Sequence, residues 1–372
     1  MPQLNHTPSR KLFVLALLLL TTLSRANQQT TQTQRQTPTL TINRSQSATI
    51  EQLRADLAMR FMEPAPHMAL ARYFRERGDR LAAFYILESA RRTRFPKEEF
   101  NQAFAAAFGR SQPPGASREG EAAFNLGASL QREGKLTLAE AQFVKAAALS
   151  PASSDIQAWV GRFFYKVKND NRRALDYYLN AYLLDPDAYE SEFVESRIAK
   201  INDELAVAEF ARKLKGGVPL AKIVEDPNPM VVLYALERVT KEWKPSYLPT
   251  VLGLLGHDED SVRWQATEAI KQNVDRSFDP VLRELLRDSD LRKRGLAAYI
   301  AARLWKRESF TVLREMLSEQ SQLLRFDAIS ALVIEGGDEG RQIVFAHLPR
   351  EQNPRLKQMI ESEMSRAPRQ PE

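Results

Sequence analysis

The chain has 372 residues, with 53 basic and 47 acidic side chains, a formal net charge of +6 and no cysteine. The lack of cysteine excludes disulfides, thiolate metal sites, cysteine nucleophiles and a lipid anchor on cysteine. Residues 27–215 carry 27 basic and 23 acidic side chains, whereas residues 216–372 carry 23 and 24. The basic excess after residue 26 therefore lies in the N-terminal half, where it suits either a solvated helix surface or an anionic partner.

The N-terminus is typical of a secretory signal peptide over residues 1–26. Arg10 and Lys11 precede an apolar run over residues 12–23, and Ala26 ends a possible cleavage site. The run is shorter than the ~20 apolar residues of a membrane span. We therefore expect an exported protein, periplasmic or secreted. An uncleaved N-terminal membrane anchor is the alternative.

Two segments are predicted to be disordered. Residues 27–50 are rich in Gln and Thr and cannot bury enough apolar surface to offset the entropy of ordering. We interpret them as a tether. Residues 368–372 form a polar tail that we expect to be frayed.

Three helical hairpins are predicted within residues 51–188, at 64–97, 120–153 and 154–188. The middle hairpin has a regular spacing of small and large residues: Leu126, Gly127, Leu130, Gly134, Ala139, Phe143, Ala146 and Pro151. At this spacing, small and large side chains interlock on two antiparallel helices, and proline ends the second helix. The hairpins resemble tetratricopeptide repeats, and the third has one residue inserted before Ala174. An extra helix is predicted at 98–109 and a connecting helix at 189–215.

A second repeat, with a period of 31 residues, occupies residues 216–367. Its most regular members are Ala235, Ala266, Ala297 and Ala328. In each of five copies, an apolar helix leads through a polar turn to a second helix. In four copies the second helix carries the alanine where two helices approach closely, and Met359 replaces it in the last copy. The Val262-Arg263 pair and the Ala266…Ile270 spacing resemble short bacterial HEAT-like repeats. The two resemblances imply an all-α fold, an α-solenoid of tetratricopeptide-like hairpins followed by HEAT-like hairpins.

The resemblance to tetratricopeptide repeats implies that the first helix of each hairpin lines a peptide-binding groove. The candidate groove residues are Arg72, Arg75, Phe124, Asn125, Gln131, Arg162 and Tyr165, with Met68, Ala128 and Ala158 as further lining positions. Polar members of this set offer hydrogen bonds to an extended peptide, and Phe124 offers apolar area. Alternatively, several of these side chains are buried between repeats or under the extra helix.

Three arginines, Arg263, Arg294 and Arg325, recur at the 31-residue step on the second helices of the HEAT-like repeats. A row of arginines on one edge is a candidate surface for an acidic partner. The alternative is that each arginine pairs with acids in the neighbouring turns and stiffens the array.

The sequence predicts no catalytic cluster, metal site or cofactor. His67, His257 and His347 lie in three different repeats without a second ligand at metal-binding spacing. The acidic turn at residues 257–260 is better explained by helix capping than by cation binding. Some HEAT-like proteins are bilin lyases, so an enzyme of that type is an alternative from the resemblance alone.

Taken together, the sequence predicts an exported, non-enzymatic scaffold that binds protein or peptide partners of unknown identity through its concave faces. A membrane-anchored assembly factor that retains residues 12–23 is a further alternative. Nucleic acid is not an expected partner, because no recognised nucleic-acid module is visible. Membrane contact is expected only if the N-terminal segment is uncleaved.

Overall fold

The computed structural model describes residues 49–93, 95–109, 115–186 and 191–364. All regular secondary structure in these ranges is helical, and helices make up 81% of the residues. The predicted all-α fold is therefore confirmed. The predicted signal peptide, residues 27–48 of the tether and the tail at 368–372 lie outside the described residues.

The α-helices have the following bounds, in chain order: α1 (Ile50–Met59), α2 (Pro64–Glu76), α3 (Arg80–Thr93), α4 (Lys97–Phe108), α5 (Arg118–Arg132), α6 (Leu136–Leu149), α7 (Ser154–Phe163), α8 (Asn171–Leu184), α9 (Ser191–Lys215), α10 (Leu220–Ile223), α11 (Pro229–Lys241), α12 (Leu248–Leu254), α13 (Asp260–Asn273), α14 (Asp279–Leu285), α15 (Leu291–Trp305), α16 (Phe310–Met316), α17 (Gln322–Glu335), α18 (Gly337–His347) and α19 (Pro354–Met364). A π-helical turn, Phe164–Lys168, follows α7. Short 3₁₀ turns precede α12, α14 and α16, and another follows α18.

The chain divides into two compact units. The first unit contains the described residues of 49–70, 88–100 and 274–364, and the second contains those of 71–87 and 101–273. These units do not follow the predicted repeat arrays. The predicted hairpin at 64–97 contributes to both units, and the 31-residue repeats divide between Asn273 and Val274.

Several helix starts are fixed by side chains that cap the exposed backbone N–H groups of the first turn. The Ser153 hydroxyl accepts from the N–H of Ile156, and the Asp290 carboxylate accepts from the N–H of Arg292 at 3.0 Å. Asp290 belongs to one of the polar turns of the 31-residue repeat. Its capping contact supports the interpretation that these turns serve the helix that follows.

Close helix packing in the second unit depends on glycine. Helix α5 packs on α6, and α7 packs on α8. A Cβ atom at Gly127 would lie 3.0 Å from the ring of Phe143, and one at Gly161 would lie 3.0 Å from the ring of Tyr178. Both rings are buried. The small and large residues of the predicted spacing are therefore direct packing partners, 16 residues apart in one hairpin and 17 in the next.

The periodic alanines are fully buried. Ala235 and Ala266 in the second unit, and Ala297 and Ala328 in the first, each have 0% of their surface exposed. In the second unit α11 packs on α13, and in the first unit α15 packs on α17. These alanines therefore lie where neighbouring helices leave no room for a larger side chain.

The first unit joins segments that are far apart in sequence. Helix α1 packs on α15 and α17. The Ser321 hydroxyl donates to the carbonyl of Ala58 at 2.7 Å, and the N–H of Met62 donates to Gln322 Oε1 at 2.8 Å. Phe61 packs beside Phe326 with 5.4 Å between ring centroids. The sequence periodicity did not predict this contact between the N-terminal helix and the C-terminal repeats.

Substitution of Ala297 with Leu tests the packing role of the periodic alanines. We expect A297L to lower the free energy of unfolding by about 2 kcal/mol or more, because a fully packed site must expand to take the added atoms. The measurement is urea unfolding followed by circular dichroism. The matched control is A346L, an exposed helical position in the same unit, for which a change within about 0.5 kcal/mol is expected. Equal stability of A297L and A346L would contradict the packing role.

Candidate functional site

Most of the exposed apolar surface lies in one stretch of the second unit. Eleven large apolar side chains are exposed among the described residues, and six of them lie on α5, α6 and α7: Leu126, Leu136, Leu138, Val144, Leu149 and Trp159. Clustered exposed apolar side chains mark interaction surfaces more often than scattered ones do. Four of the seven candidate groove residues, Phe124, Asn125, Gln131 and Arg162, lie on the same three helices.

The predicted groove residues of α5 and α7 meet around a tryptophan. Phe124 is half-buried on α5, and its ring lies 6.2 Å from the Trp159 ring, in an edge-to-face arrangement. The guanidinium of Arg162, exposed on α7, lies 4.9 Å from the same ring. Asn125 is exposed and Gln131 is half-buried on α5. The structure therefore brings Phe124 and Arg162 together through a residue that was not predicted.

Trp159 is the main omission of the sequence analysis. Its side chain is 47% exposed, whereas the neighbouring Ala158, which was predicted to line the groove, is buried. Aligning Val160-Gly161 with Leu126-Gly127 places Trp159 at the position of Asn125. The correspondence between the two hairpins therefore predicts Trp159 as a groove residue.

Tyr165 lies three residues after Arg162, in the π-helical turn, and contacts α9. Its ring faces the guanidinium of Arg197 at 5.1 Å and the ammonium of Lys166 at 5.5 Å. Arg197 also lies 4.8 Å from the ring of Phe193. Helix α9 was predicted only as a connector, so Arg197 and Phe193 were missed. We call the seven residues of this surface the aromatic–cation row: Phe124, Trp159, Arg162, Tyr165, Lys166, Phe193 and Arg197.

The two arginines predicted from the first hairpin have other contacts. Arg72 donates to the carbonyl of Ala107 at 3.3 Å, and Arg75 donates to the carbonyl of Leu183 at 3.2 Å. Both carbonyls lie in the last turn of a helix, α4 and α8 respectively, where a cation is favourable. Arg75 also lines a cleft of about 500 Å³. Both arginines therefore bind to the ends of helices. Met68, which was predicted to line the groove with them, is buried.

The three periodic arginines are bonded within the chain. Arg263 is 8% exposed and donates to the carbonyls of His257 and Asp258, at 2.6 and 3.0 Å, and to Asp260. Arg325 repeats this pattern in the first unit, because it donates to the carbonyls of Glu319 and Gln320, at 2.8 and 2.9 Å.

Arg294 is half-buried and pairs with Glu319 in the turn that precedes α17. Together with the contacts of Arg263 and Arg325, this pair agrees with the alternative that the arginines stiffen the turns. The proposed partner-binding surface therefore does not include these three residues.

Two findings concern metals and membranes. Among the residues the structure describes, no cluster of three or more His, Asp or Glu side chains could hold a metal ion. None of the helices in the same ranges is long and apolar enough to span a bilayer.

Comparison with known proteins identifies no relative. No protein-family model, no curated protein and no solved structure matches the chain.

The buried pair of Arg325 and Glu351 gives a test of the structural role of Arg325. Arg325 Nε lies 2.9 Å from Glu351 Oε2. Burial opposes ionisation of Glu351, but hydrogen bonds from His347, Arg325 and the N–H of Asn353 outweigh it and lower its pKa to about 2. The carboxylate therefore stabilises the fold above about pH 4.5, and this contribution is lost as the pH falls towards 2.

We expect E351Q to lower the free energy of unfolding by about 3 kcal/mol at pH 7 and to flatten the loss of stability below pH 4.5. Urea unfolding at a series of pH values measures both effects. D338N serves as the control, because its pair with Arg341 is solvent-exposed, and its effect should stay within about 0.5 kcal/mol. A pH profile of E351Q that matches the wild type would exclude the assigned role.

The pKa of Glu259, in the turn before α13, is shifted in the opposite direction to that of Glu351. Burial, reinforced by the charge of Asp260, raises the pKa of Glu259 to about 7. The folded chain holds this proton where the unfolded chain releases it, so stability falls as the pH rises from about 4.5 to about 7.

We expect E259Q to be more stable than the wild type at pH 8, by up to about 3 kcal/mol, and equally stable near pH 4.5. The hydroxyl of Ser261 donates to Glu259 Oε1 at 3.0 Å, and a glutamine carbonyl accepts the same bond. Thermal or urea unfolding at the two pH values measures the difference, with the exposed E225Q as control. Lower stability of E259Q at pH 8 would contradict this assignment.

Proposed function

We propose that the chain is an exported, non-enzymatic scaffold that binds a partner protein through the aromatic–cation row. The repeats would form an α-solenoid, with tetratricopeptide-like hairpins followed by HEAT-like hairpins. Successive packing within the second unit supports this arrangement, because α7 packs on α8, α8 on α9, α9 on α11 and α11 on α13. Export rests on the signal-like residues 1–26.

One observation carries the proposal. Trp159 is half-exposed between the ring of Phe124 and the guanidinium of Arg162. Tryptophan and arginine are the residue types that most often dominate protein–protein binding energy, and they do so when flanked by apolar side chains that exclude water. The half-buried ring of Phe124 is such an apolar neighbour of Trp159.

The side chains of the aromatic–cation row also suit the binding of a partner chain. The row consists of aromatic rings and cations on α5, α7, α9 and the π-helical turn, and its polar members are donors suited to holding a chain. A binding role needs no further group.

The test is truncation of Trp159 in a cross-linking experiment. A photo-reactive phenylalanine placed at the exposed Asn125 should capture a discrete partner from the native cell envelope. We expect W159A to weaken binding of that partner at least about 30-fold, in line with the loss of a hot-spot aromatic side chain.

The control is I334A, which removes an equally exposed apolar side chain from the first unit. I334A should leave capture and affinity unchanged, and circular dichroism should show that both variants are folded. A partner that binds W159A as tightly as the wild type would overturn the proposed function.

A further inference from the structure

The cations of the aromatic–cation row have no acidic partner in the described part of the chain. Arg162, Lys166 and Arg197 each lie over an aromatic ring. No carboxylate among residues 49–92, 95–109, 115–186 and 193–363 forms an ion pair with any of the three. The rings therefore supply the attraction that a carboxylate usually supplies.

Arg197 is the most constrained of the three. Its Nη1 donates to Tyr165 Oη at 3.5 Å, at the outer limit of a hydrogen bond. Its Nε is buried and has no hydrogen-bond partner. A buried donor without a partner is unfavourable in the free chain, so Arg197 is held less well than a fully bonded arginine.

Other cations of the same unit are neutralised by neighbours. Arg80 pairs with Asp176 at 2.7 Å, and Arg173 pairs with Glu140 at 2.6 Å. Lys168, only two residues beyond Lys166, also pairs with Glu140 at 2.7 Å. Those three cations have carboxylate partners, whereas Arg162, Lys166 and Arg197 have none among the side chains that the structure describes.

We infer that the row recognises an acidic, extended segment of the partner protein. Aspartate or glutamate side chains of the segment meet Arg162, Lys166 and Arg197, and a large apolar side chain packs against Trp159 and Phe124. This inference rests on the proposed function and specifies the chemistry of the partner at the same surface. It combines charge complementarity with the apolar contact that the exposed rings offer.

Acids at the other end of the row favour a peptide over a phosphate polymer or a membrane. Glu121 lies three residues before Phe124, and Asp155 lies four residues before Trp159, so each shares a helix face with an aromatic residue of the row. Both are exposed. Residues 118–168 carry seven basic and five acidic side chains. A continuous phosphate backbone needs a more uniformly basic surface, whereas a peptide can carry acids at one end only.

The experiment selects random 12-residue peptides from a display library on the immobilised full chain. The variants are wild type, R162Q/R197Q, W159A and the control R303Q, which changes an exposed arginine of the first unit. The best peptide is then synthesised with its acids intact and with each acid replaced by the amide. Affinities are measured by fluorescence anisotropy at two salt concentrations.

We expect the wild type to enrich peptides with several acids beside a large apolar residue. R162Q/R197Q and the amide peptide should each weaken binding about twenty-fold, and added salt should weaken the wild type. R303Q should match the wild type. Since Arg162 is exposed, R162Q alone preserves the test if the double variant does not fold.

The outcomes separate this inference from the proposed function. Neutral or basic peptides that depend on Trp159, but not on Arg162 and Arg197, would overturn the inference and leave the scaffold function intact. If no selected peptide depends on Trp159, the proposed function fails as well. Tighter binding of a single-stranded oligonucleotide or of phosphatidylglycerol vesicles, lost in R162Q/R197Q, would overturn the choice of a peptide.

Discussion

The architecture depends on the close approach of paired helices at residues with little or no side chain. Gly127 admits the ring of Phe143, Gly161 admits the ring of Tyr178, and the fully buried alanines serve the same purpose in the 31-residue repeats. This constraint also shapes the candidate site. Gly161 and Ala158 lie on the buried face of α7. The opposite, exposed face carries Trp159 and Arg162, which are three residues apart.

Local spacing predicted the contacts of Gly127 with Phe143 and of Gly161 with Tyr178, and the limits of the prediction are equally physical. The interlocking pairs lie within 17 residues of each other, so the sequence pattern contains them. The contacts of Arg75 with Leu183 and of Arg80 with Asn180 span 108 and 100 residues. No local periodicity encodes such contacts, so the sequence did not predict these partners of Arg75 and Arg80. Arg197 was missed for a related reason, since α9 breaks the repeat pattern.

The periodic arginines show how a repeat can keep a contact while its sequence drifts. Arg263 and Arg325 bond to carbonyls five and six residues before them. In the copy between them, Arg292 is the buried arginine, and it bonds to Asp290 at 2.9 and 3.1 Å. Arg294 is then available to reach Glu319 in the next turn. The segment Leu291-Arg292-Lys293-Arg294 of that copy thus differs from Val262-Arg263 in which arginine bonds to the turn.

The aromatic–cation row follows a different logic from these structural arginines. Where a guanidinium serves the fold, as in Arg263 and Arg325, carbonyl and carboxylate oxygens surround it. Arg162 and Arg197 are held by aromatic faces, and a ring attracts a cation while leaving its N–H groups open to a further acceptor. A carboxylate beside Arg197 would stabilise the free chain more, but it would also compete with an incoming acid. Rings hold the cation in place without that competition, which suits a surface that exchanges water for a partner.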